Sequence, residues 1–331
     1  MNMLIQFIQR AVIQGTPLLF GSTGEILTEK SGHLNLGIPG IMYAGAISGV
    51  IGAFFYEDKV GAANINPLLA ILIPLATSML GSLLMGLIYC FLTVTLRANQ
   101  NVTGLALTTF GVGLGNFFGG SLIKISGSDM PAITLSTTSK CFKTTLPFAE
   151  SLGVFGKLFF SYSFLVYVAI IIAIVSSVIL NRTRIGLHLR AVGENPATAD
   201  AAGINVNRYK YFTTCIGSMI AGLGGLYYVM DYASGIWSNG GFGDRGWLAV
   251  AIVIFAIWRP NMAVPASILF GGLFIVYNYV SLPGMGIEAQ ELFKMLPYLV
   301  TLVVLIITSM REKRESQPPQ SLGLSYFREE R

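Results

Sequence analysis

The stretch "GENPATADAAG" at residues 193–203 carries residue types whose spacing predicts a short helix suited to binding rather than catalysis. Asn195 is a good N-cap, because its side-chain oxygen can accept hydrogen bonds from the N–H groups of the first turn. Pro196 follows at the first helical position, and Gly203 can end the helix in a left-handed conformation. The product is a helix of about seven residues, roughly 10 Å long, with small alanine faces. Because so short a helix is marginal alone, a neighbour must hold it.

Basic clusters flank this segment, with "NRTRIGLHLR" before it and "NVNRYK" after it. Long apolar runs follow on both sides, so residues 182–210 form a polar loop between two membrane spans. The plain interpretation is an interfacial turn whose arginines anchor in anionic lipid and set the topology. The alternative is a docking unit for a partner subunit. Capping alone leaves both interpretations open.

Within the apolar runs, the groups that could bind a solute are amides, hydroxyls and aromatic rings. Ionisable residues are nearly absent from the middle of the runs. Intramembrane charges usually mark ion or proton pathways, so their scarcity predicts an uncharged substrate and argues against a proton- or sodium-coupled carrier. The candidates for the substrate path are Asn35, Tyr43, Thr108, Thr109, Asn116, Phe117, Tyr277 and Asn278, of which Asn116 in "GVGLGNFFGG" is the strongest. For each of them taken alone, helix packing or interhelical hydrogen bonding is the favoured interpretation.

A membrane bundle must position these residues. The 331 residues are 53% hydrophobic and only 11% charged, whereas soluble domains carry about 25% charged residues. Runs near the roughly 20 residues that cross a bilayer predict an all-α polytopic membrane protein. The nine runs are 4–20, 37–56, 67–96, 101–122, 161–181, 211–230, 246–258, 262–282 and 294–310. The first contains Arg10 and could lie partly in the interface, and the short seventh predicts a broken or re-entrant helix.

Sidedness follows from the basic residues. Placing the loop 182–210 in the cytoplasm puts most lysines and arginines on that side, in agreement with the positive-inside rule. This predicts an outside N-terminus, a cytoplasmic C-terminus, and one transmembrane domain over 1–310. Residues 123–160 become an extracellular loop, and the polar, proline-containing residues 311–331 a disordered cytoplasmic tail. The start lacks a basic n-region and a cleavage site, so no cleavable signal is expected.

Catalytic, cofactor and metal sites are not expected on this chain. The three cysteines and two histidines share no metal-type spacing, and no phosphate-binding loop occurs. A membrane-embedded enzyme would need clustered acidic, histidine or Ser–Lys groups at membrane depth. Two other rivals remain: a secondary transporter or channel that works alone, and a purely structural subunit. The net charge of +5 bears on topology and indicates no nucleic-acid partner.

Three segments resemble the permeases of ABC transporters for branched-chain amino acids, sugars and nucleosides. "RTRIGLHLRAVGENPATADAAGINVNRYKYFTTCIGSMIAGLGGLYY" resembles their cytoplasmic coupling segment. "FGSTGEILTEKSGHLNLGIPGIMYAGA" resembles the N-terminal signature of the nucleoside-type members, and "GFGDRGWLAVAIVIFAIWRPNMAVPASILFGGLF" resembles the glycine-rich segment before the last spans. The sequence departs from the pattern in lacking the additional N-terminal span of sugar permeases, and in "FAIWRP", where a glycine is common after the phenylalanine.

The resemblance implies an importer subunit in the bacterial plasma membrane. A partner ATPase would bind ATP and Mg²⁺, and an extracellular binding protein or lipoprotein would deliver the solute. A second permease, either a paralogue or a second copy, would complete the membrane part, with lipid around it. A nucleoside is the first choice of substrate, with a simple sugar or a flavin-like vitamin as alternatives. The implied docking unit is Glu194, Asn195, Pro196, Ala199, Asp200 and Gly203, flanked by Arg184, Arg190 and Arg208.

Overall fold

The chain folds as a helical bundle in the computed structural model. The structure describes residues 2–61, 64–127, 131–144, 153–279, 293, 295–310 and 317–327. In chain order, the helices are α1 (Asn2–Glu29), α2 (Ile38–Val60), α3 (Pro67–Cys90), α4 (Gln100–Ser126), α5 (Ser136–Phe142), α6 (Gly153–Phe159), α7 (Phe164–Arg182), α8 (Arg184–Glu194), α9 (Pro196–Ala201), α10 (Val206–Tyr227), α11 (Arg245–Phe255), α12 (Pro260–Ile275) and α13 (Leu296–Met310). The π-helical turns Phe91–Thr95 and Tyr228–Tyr232 extend α3 and α10, and the 3-10 turn Val276–Asn278 follows α12.

Six helices in the described part of the chain are long and apolar enough to cross a membrane. They are α2, α3 with its π turn, α4, α7, α10 with its π turn, and α12 with its 3-10 turn. Helices α11 and α13 are apolar but shorter, and α1 is 28 residues long with a more polar composition. Each of the nine predicted runs falls on a helix. The chain is therefore an integral, multi-pass helical protein, while nine spans and their sidedness stay a prediction.

Helix α1 occupies the middle of the bundle and packs against α7, α10, α11 and α12. All residues from Gln14 to Glu29 are buried. Glycines permit this close packing, because a Cβ at Gly24 would overlap the backbone of α10 and one at Gly15 the backbone of α12. An interfacial position therefore does not describe the second half of α1. The helix also continues nine residues past the predicted end of the first run, at residue 20.

The seventh predicted run forms a short helix followed by a sharp break. Helix α11 has 11 residues, so it is about 16 Å long, roughly half the apolar thickness of a bilayer. Ile257 and Trp258 then adopt positive φ angles of 53° and 50° before α12 begins. On the other side of α11, the irregular residues 239–244 contact α2, where the Gly240 N–H donates to the Tyr43 hydroxyl at 2.9 Å. The short helix and the break agree with the predicted broken segment.

A small sheet organises part of the predicted extracellular loop 123–160. Strands β1 (Ala132–Thr134) and β2 (Ile236–Ser238) pair antiparallel, with Ile133 opposite Trp237. Helix α5 follows β1, and the Glu57 carboxylate accepts hydrogen bonds from the Thr138 N–H and hydroxyl at 2.7 and 2.6 Å. These contacts attach the loop to the ends of α2 and α10. Residues 128–130 and 145–152 lie outside the described residues.

Five segments meet at the end of the bundle that carries α9, which we call the α9 end. They are residues 30–34, 95–100, 183–206, 256–260 and 317–327. Lys30 lies near Glu194 and Arg259, and the Arg97 guanidinium lies 4.7 Å from the centroid of the Phe327 ring. Among the described residues, Lys30, Arg97 and Arg259, which are predicted to share the cytoplasmic side, thus lie at one end of the fold.

The C-terminal residues 317–327, which we call the tail strap, are packed onto this end. The Ser321 N–H donates to the Gly193 carbonyl at 3.0 Å, and the Gln100 side-chain amide donates to the Leu324 carbonyl at 3.2 Å. Ser321 itself is buried. Hydrogen bonds to backbone carbonyls and one buried hydroxyl hold the strap in place. The polar composition of the segment does not predict these hydrogen bonds.

The predicted disorder over 311–331 stays a prediction, and the contacts of residues 317–327 count against it there. Residues 311–316 and 328–331 lie outside the described residues. Composition predicts disorder where a segment lacks enough apolar area to bury on its own. This segment instead uses partners contributed by α4 and α8, which are far away in the sequence.

Candidate coupling surface and solute path

Helix α9 has the caps that its sequence predicts. The Asn195 side-chain oxygen accepts a hydrogen bond from the Thr198 N–H at 3.0 Å, and Pro196 is the first helical residue. Gly203 follows the helix with a φ angle of +85°. A Cβ there would meet nothing within 4 Å, so backbone conformation rather than space requires the glycine. The helix has six residues, close to the predicted length.

One face of α9 packs on the chain and the other is open. Ala199 is buried in a small apolar cluster with Val192 and Val206. The exposed residues of the segment are Glu194, Asn195, Ala197, Thr198, Ala201, Ala202 and Gly203. Ala199, predicted as part of a docking unit, thus faces the chain and holds α9 in place. The open face is made of alanines, a threonine and the N-cap.

Charged residues surround the open face. Arg184, Arg190 and Arg208 are all exposed. Lys30 lies beneath them in the connection between α1 and α2. Burial lowers the pKa of Lys30, and the neighbouring Glu194 carboxylate acts in the opposite direction. Glu194 therefore contributes to the electrostatic contact between the loop 182–210 and the end of α1.

The tail strap contacts the predicted docking unit at two places, and no local pattern in the sequence predicts either contact. The Ser321 hydroxyl donates to the Gly193 carbonyl at 2.6 Å, before α9. The Tyr326 hydroxyl donates to the Asp200 carboxylate at 2.9 Å, within α9. Asp200 is thus engaged by this chain and is half-buried. Each bond joins residues more than 100 positions apart.

Ser321→Ala is expected to loosen the coupling loop. The substitution removes a buried donor and leaves the Gly193 carbonyl with only the Ser321 N–H from the strap. The loss should be about 1 kcal/mol of folding free energy. Thermal melting of the purified protein in detergent measures it. Leu324→Ala is the matched control, because that side chain is 61% exposed while its backbone makes the strap contacts. Equal melting midpoints for the two variants would contradict the role of Ser321.

Two of the predicted path residues come together beside the irregular residues 239–244, which precede α11. The Tyr43 hydroxyl donates to the Asn116 side-chain oxygen at 2.6 Å and accepts from the Gly240 N–H at 2.9 Å. The Tyr43 ring packs edge-on against Trp237, with centroids 5.0 Å apart. Tyr43 is buried and Asn116 half-buried. An amide, a phenol and an indole therefore surround the irregular residues 239–244, a combination that can bond and stack against a small solute.

The other path candidates have different surroundings. Asn35 is buried and its side-chain oxygen accepts from the Gly37 N–H at 2.9 Å, and the Thr108 hydroxyl donates to the Leu36 carbonyl at 2.8 Å. These two shape the start of α2.

Thr109 and Phe117 lie on an exposed face of α4. Tyr277 and Asn278 lie in the turn after α12, away from the Tyr43–Asn116 pair, and Asn278 lines a separate cavity.

Comparison with known sequences places the chain in a family. The family profile described as the permease component of branched-chain amino acid transport systems matches residues 7–305. The chain belongs to this family. It is a permease subunit of an ABC importer, and permeases of this kind work with an ATPase and a substrate-binding protein.

Three relatives match the permease over nearly its full length. The nucleoside ABC transporter permease NupC of Lactococcus lactis is 32% identical, covering 92% of this chain and 93% of the relative. The guanosine ABC transporter permease NupQ of Bacillus subtilis is 29% identical, covering 98% and 97%. TsgC13 of Haloferax volcanii, assigned as a glucose ABC transporter permease, is 29% identical, covering 99% of each chain.

The permease also has a buried carboxyl pair that lies beyond the predicted end of the first run, at residue 20, and is therefore absent from the predicted sites. Glu25 and Glu29 lie one turn apart on α1, and both are buried. Glu25 accepts from the Asn35 N–H at 3.0 Å, and Glu29 accepts from the Trp258 indole N–H. The i, i+4 spacing was the available signal. The pair ties the start of α2 and the break after α11 to the end of α1.

His33 serves a structural role in the same region. Its two ring nitrogens lie 2.8 Å from the Thr214 hydroxyl and 2.7 Å from the Thr93 hydroxyl. The residue is fully buried. Burial lowers the pKa of His33 well below its usual value, so the ring is neutral at physiological pH. A neutral ring between two hydroxyls joins α3 and α10 without placing a charge in the bundle.

Proposed function

We propose that the permease moves nucleosides inward, driven by an ATPase that docks on the open face of α9. The observation that carries this proposal is the capped α9, which presents a small-residue face at the end of the bundle where the basic residues gather. A short rod of small side chains can enter a groove on another subunit. Its buried side, at Ala199, transmits displacement to α8 and α10 through Val192 and Val206.

The α9 end then faces the cytoplasm of a bacterial cell, because the positive-inside rule places basic loops there. ATP is bound and hydrolysed on the partner, where Mg²⁺ is also held. A second permease completes the translocation unit, and a binding protein delivers solute at the opposite end. The docking residues are the exposed members of the predicted unit, Glu194, Asn195 and Gly203, with Pro196, Asp200, Arg190 and Arg208 beside them.

Coupling requires that ATPase contacts differ between the outward-open and inward-open packings of the bundle, since a ligand shifts an equilibrium only through differential affinity. The short α11 and the break after it supply a segment that can repack. Glu29 bonds to Trp258 within that break, so movement at the end of α1 reaches α11 directly. The Tyr43–Asn116 pair lies at the other end of α11, near residues 239–244.

A nucleoside is favoured as the solute by two of the three relatives, NupC and NupQ. The Tyr43–Asn116 pair with Trp237 offers an amide for a base edge and rings for stacking. A simple sugar is the second candidate, because TsgC13 is similar over the whole chain. The sugar would use the same amide and hydroxyl but gain less from the aromatic rings.

Reconstitution in liposomes tests the proposal. The permease, its partner permease, the ATPase and the binding protein should together take up uridine when ATP is supplied on the ATPase side. The permease without ATPase should take up none, whereas a secondary transporter would work alone. Uptake of glucose in preference to uridine would favour the sugar alternative and contradict the nucleoside assignment.

Tyr43→Phe is expected to reduce uridine transport about tenfold, because it removes the donor to Asn116 and the acceptor for Gly240 and leaves both partners unpaired. The measurement is the ATP-driven uptake rate per reconstituted complex. Tyr56→Phe, in the same helix α2, is the control, because within the described residues that hydroxyl bonds to the Asn66 backbone at 3.1 and 3.5 Å and not to a path candidate. Equal rates for the two variants would exclude the Tyr43–Asn116 pair from the solute path.

A further inference from the structure

The cavity that Asn278 lines is at the end of the bundle opposite the α9 end. It has a volume of about 600 Å³ and is formed where α7 begins, where α12 ends and where α10 passes into its π turn. Tyr43 and Asn116 do not line it. π turns inside helices recur at functional sites, because they displace backbone and side chains from regular packing. The cavity is thus separate from the path described above.

The floor of this cavity carries polar groups that the fold leaves without partners. They belong to Asp231, Ser163 and Tyr162, residues that are 8, 7 and 5% exposed. Asp231 Oδ2, Ser163 Oγ and the Tyr162 hydroxyl oxygen form no hydrogen bond within the described part of the chain. Ser163 and Tyr227 lie close to the carboxyl group, and neither hydroxyl forms a hydrogen bond within the described part of the chain. Buried polar atoms without partners are uncommon and point to a missing ligand.

The rim of the cavity carries basic side chains, whereas its floor carries a carboxylate. Arg10, Lys143 and Asn278 line it and are all exposed. The Lys143 ammonium donates to the Ser234 hydroxyl at 2.7 Å, and Arg10 lies 6.0 Å from the Tyr279 ring centroid. Lys143 also lies close enough to the Asp231 carboxylate to interact with it electrostatically. A free cation would meet two positive charges on entry, and an anion would meet the Asp231 carboxylate at the floor.

We propose that this cavity is an entry site that binds the vicinal hydroxyls of a ribose. Two adjacent hydroxyls can donate to one carboxylate, as acidic residues do in sites that recognise ribose, and they can accept from Ser163 and Tyr162. The tyrosine rings of the cavity provide apolar area for the remainder of a neutral nucleoside. This inference rests on the proposed nucleoside function and adds the residues that select a ribose before the solute reaches Tyr43 and Asn116.

Solute-dependent protection of a cysteine at the rim tests the proposal. The two permeases and the ATPase are assembled in lipid nanodiscs, and the binding protein is left out. In this chain Cys90, Cys141 and Cys215 are replaced by alanine. An Asn278→Cys variant is labelled with a hydrophilic maleimide, and uridine is titrated. Uridine should slow the labelling along one saturation curve. Asp231→Asn should raise the half-saturating concentration about tenfold or more, as expected for lost hydrogen bonds to a charged group. 2′,3′-Dideoxyuridine should show the same weakening with Asp231 intact.

Asp58→Cys serves as the control for general effects, because Asp58 is exposed at the end of α2 and lies outside the cavity. Its labelling should not respond to uridine. If Asp231→Asn fails to fold, Ser163→Ala provides the weaker, independent perturbation. Protection by leucine but not uridine would assign the cavity to zwitterions and overturn the proposal, as would no protection at all. ATP-driven uridine uptake without protection would remove this inference and leave the proposed function intact.

Discussion

Ala197→Arg is expected to abolish nucleoside transport while ATP hydrolysis continues. Ala197 is exposed on the open face of α9, so a long charged side chain there leaves the fold of this chain intact. The same side chain would not fit a groove shaped for alanine. Blocking a well-packed contact at the centre of an interface typically costs 2 kcal/mol or more, about a thirtyfold loss of affinity. Uptake and phosphate release, measured on the same proteoliposomes, should therefore separate.

Asn181→Arg is the control for added charge at the α9 end. Asn181 is exposed at the end of α7, where its amide lies 3.3 Å from the Ser177 hydroxyl. It places the same side chain near the coupling loop but not on α9. Transport should persist in this variant. If Ala197→Arg also transports normally, α9 is not the docking element and the proposed function loses the observation that carries it.

The local part of the coupling surface was predictable from the sequence. Asn195 caps a backbone N–H three residues away, and the Gly203 conformation is a property of one residue. Interactions of this range are encoded in the spacing of a few residue types. The apolar runs likewise fall on helices, because hydrophobic length is a property of one continuous segment.

Contacts between distant segments were not predictable in the same way. The bond from Tyr326 to Asp200 joins residues 126 positions apart, and nothing in either neighbourhood announces the other. The path candidates show the same limit, because Tyr43 meets Asn116 across 73 positions whereas Asn35 bonds within its own turn. Residue type indicates which side chains are able to bond a solute. The packing of the helices decides which of these side chains lie next to each other, and residue type does not predict that packing.

Gly225→Ala is expected to produce the largest loss of stability in the permease. Gly225 in α10 lies against α2, where a Cβ would overlap the Met42 carbonyl, and Gly222 makes a similar close contact with Gly45. Backbones that approach this closely use small residues as their contact surface. An added methyl group must push two buried helices apart, at a cost of about 3 kcal/mol. The melting midpoint of the purified chain, followed by size-exclusion chromatography after heating, should fall sharply.

Gly113→Ala separates this steric effect from the general cost of altering a glycine in a span. A Cβ at Gly113 in α4 would meet nothing within 4 Å in this chain, and alanine is the better helix former by about 1 kcal/mol. Its melting midpoint should equal or exceed that of the unmodified chain. The contrast matters for mechanism, because α10 begins at the end of the loop 182–210 and runs into the π turn that contains Asp231. If Gly225→Ala has the same melting midpoint as the unmodified chain, α2 and α10 are free to slide past one another. The rigid contact that would carry motion from α9 to Tyr43 would then be absent.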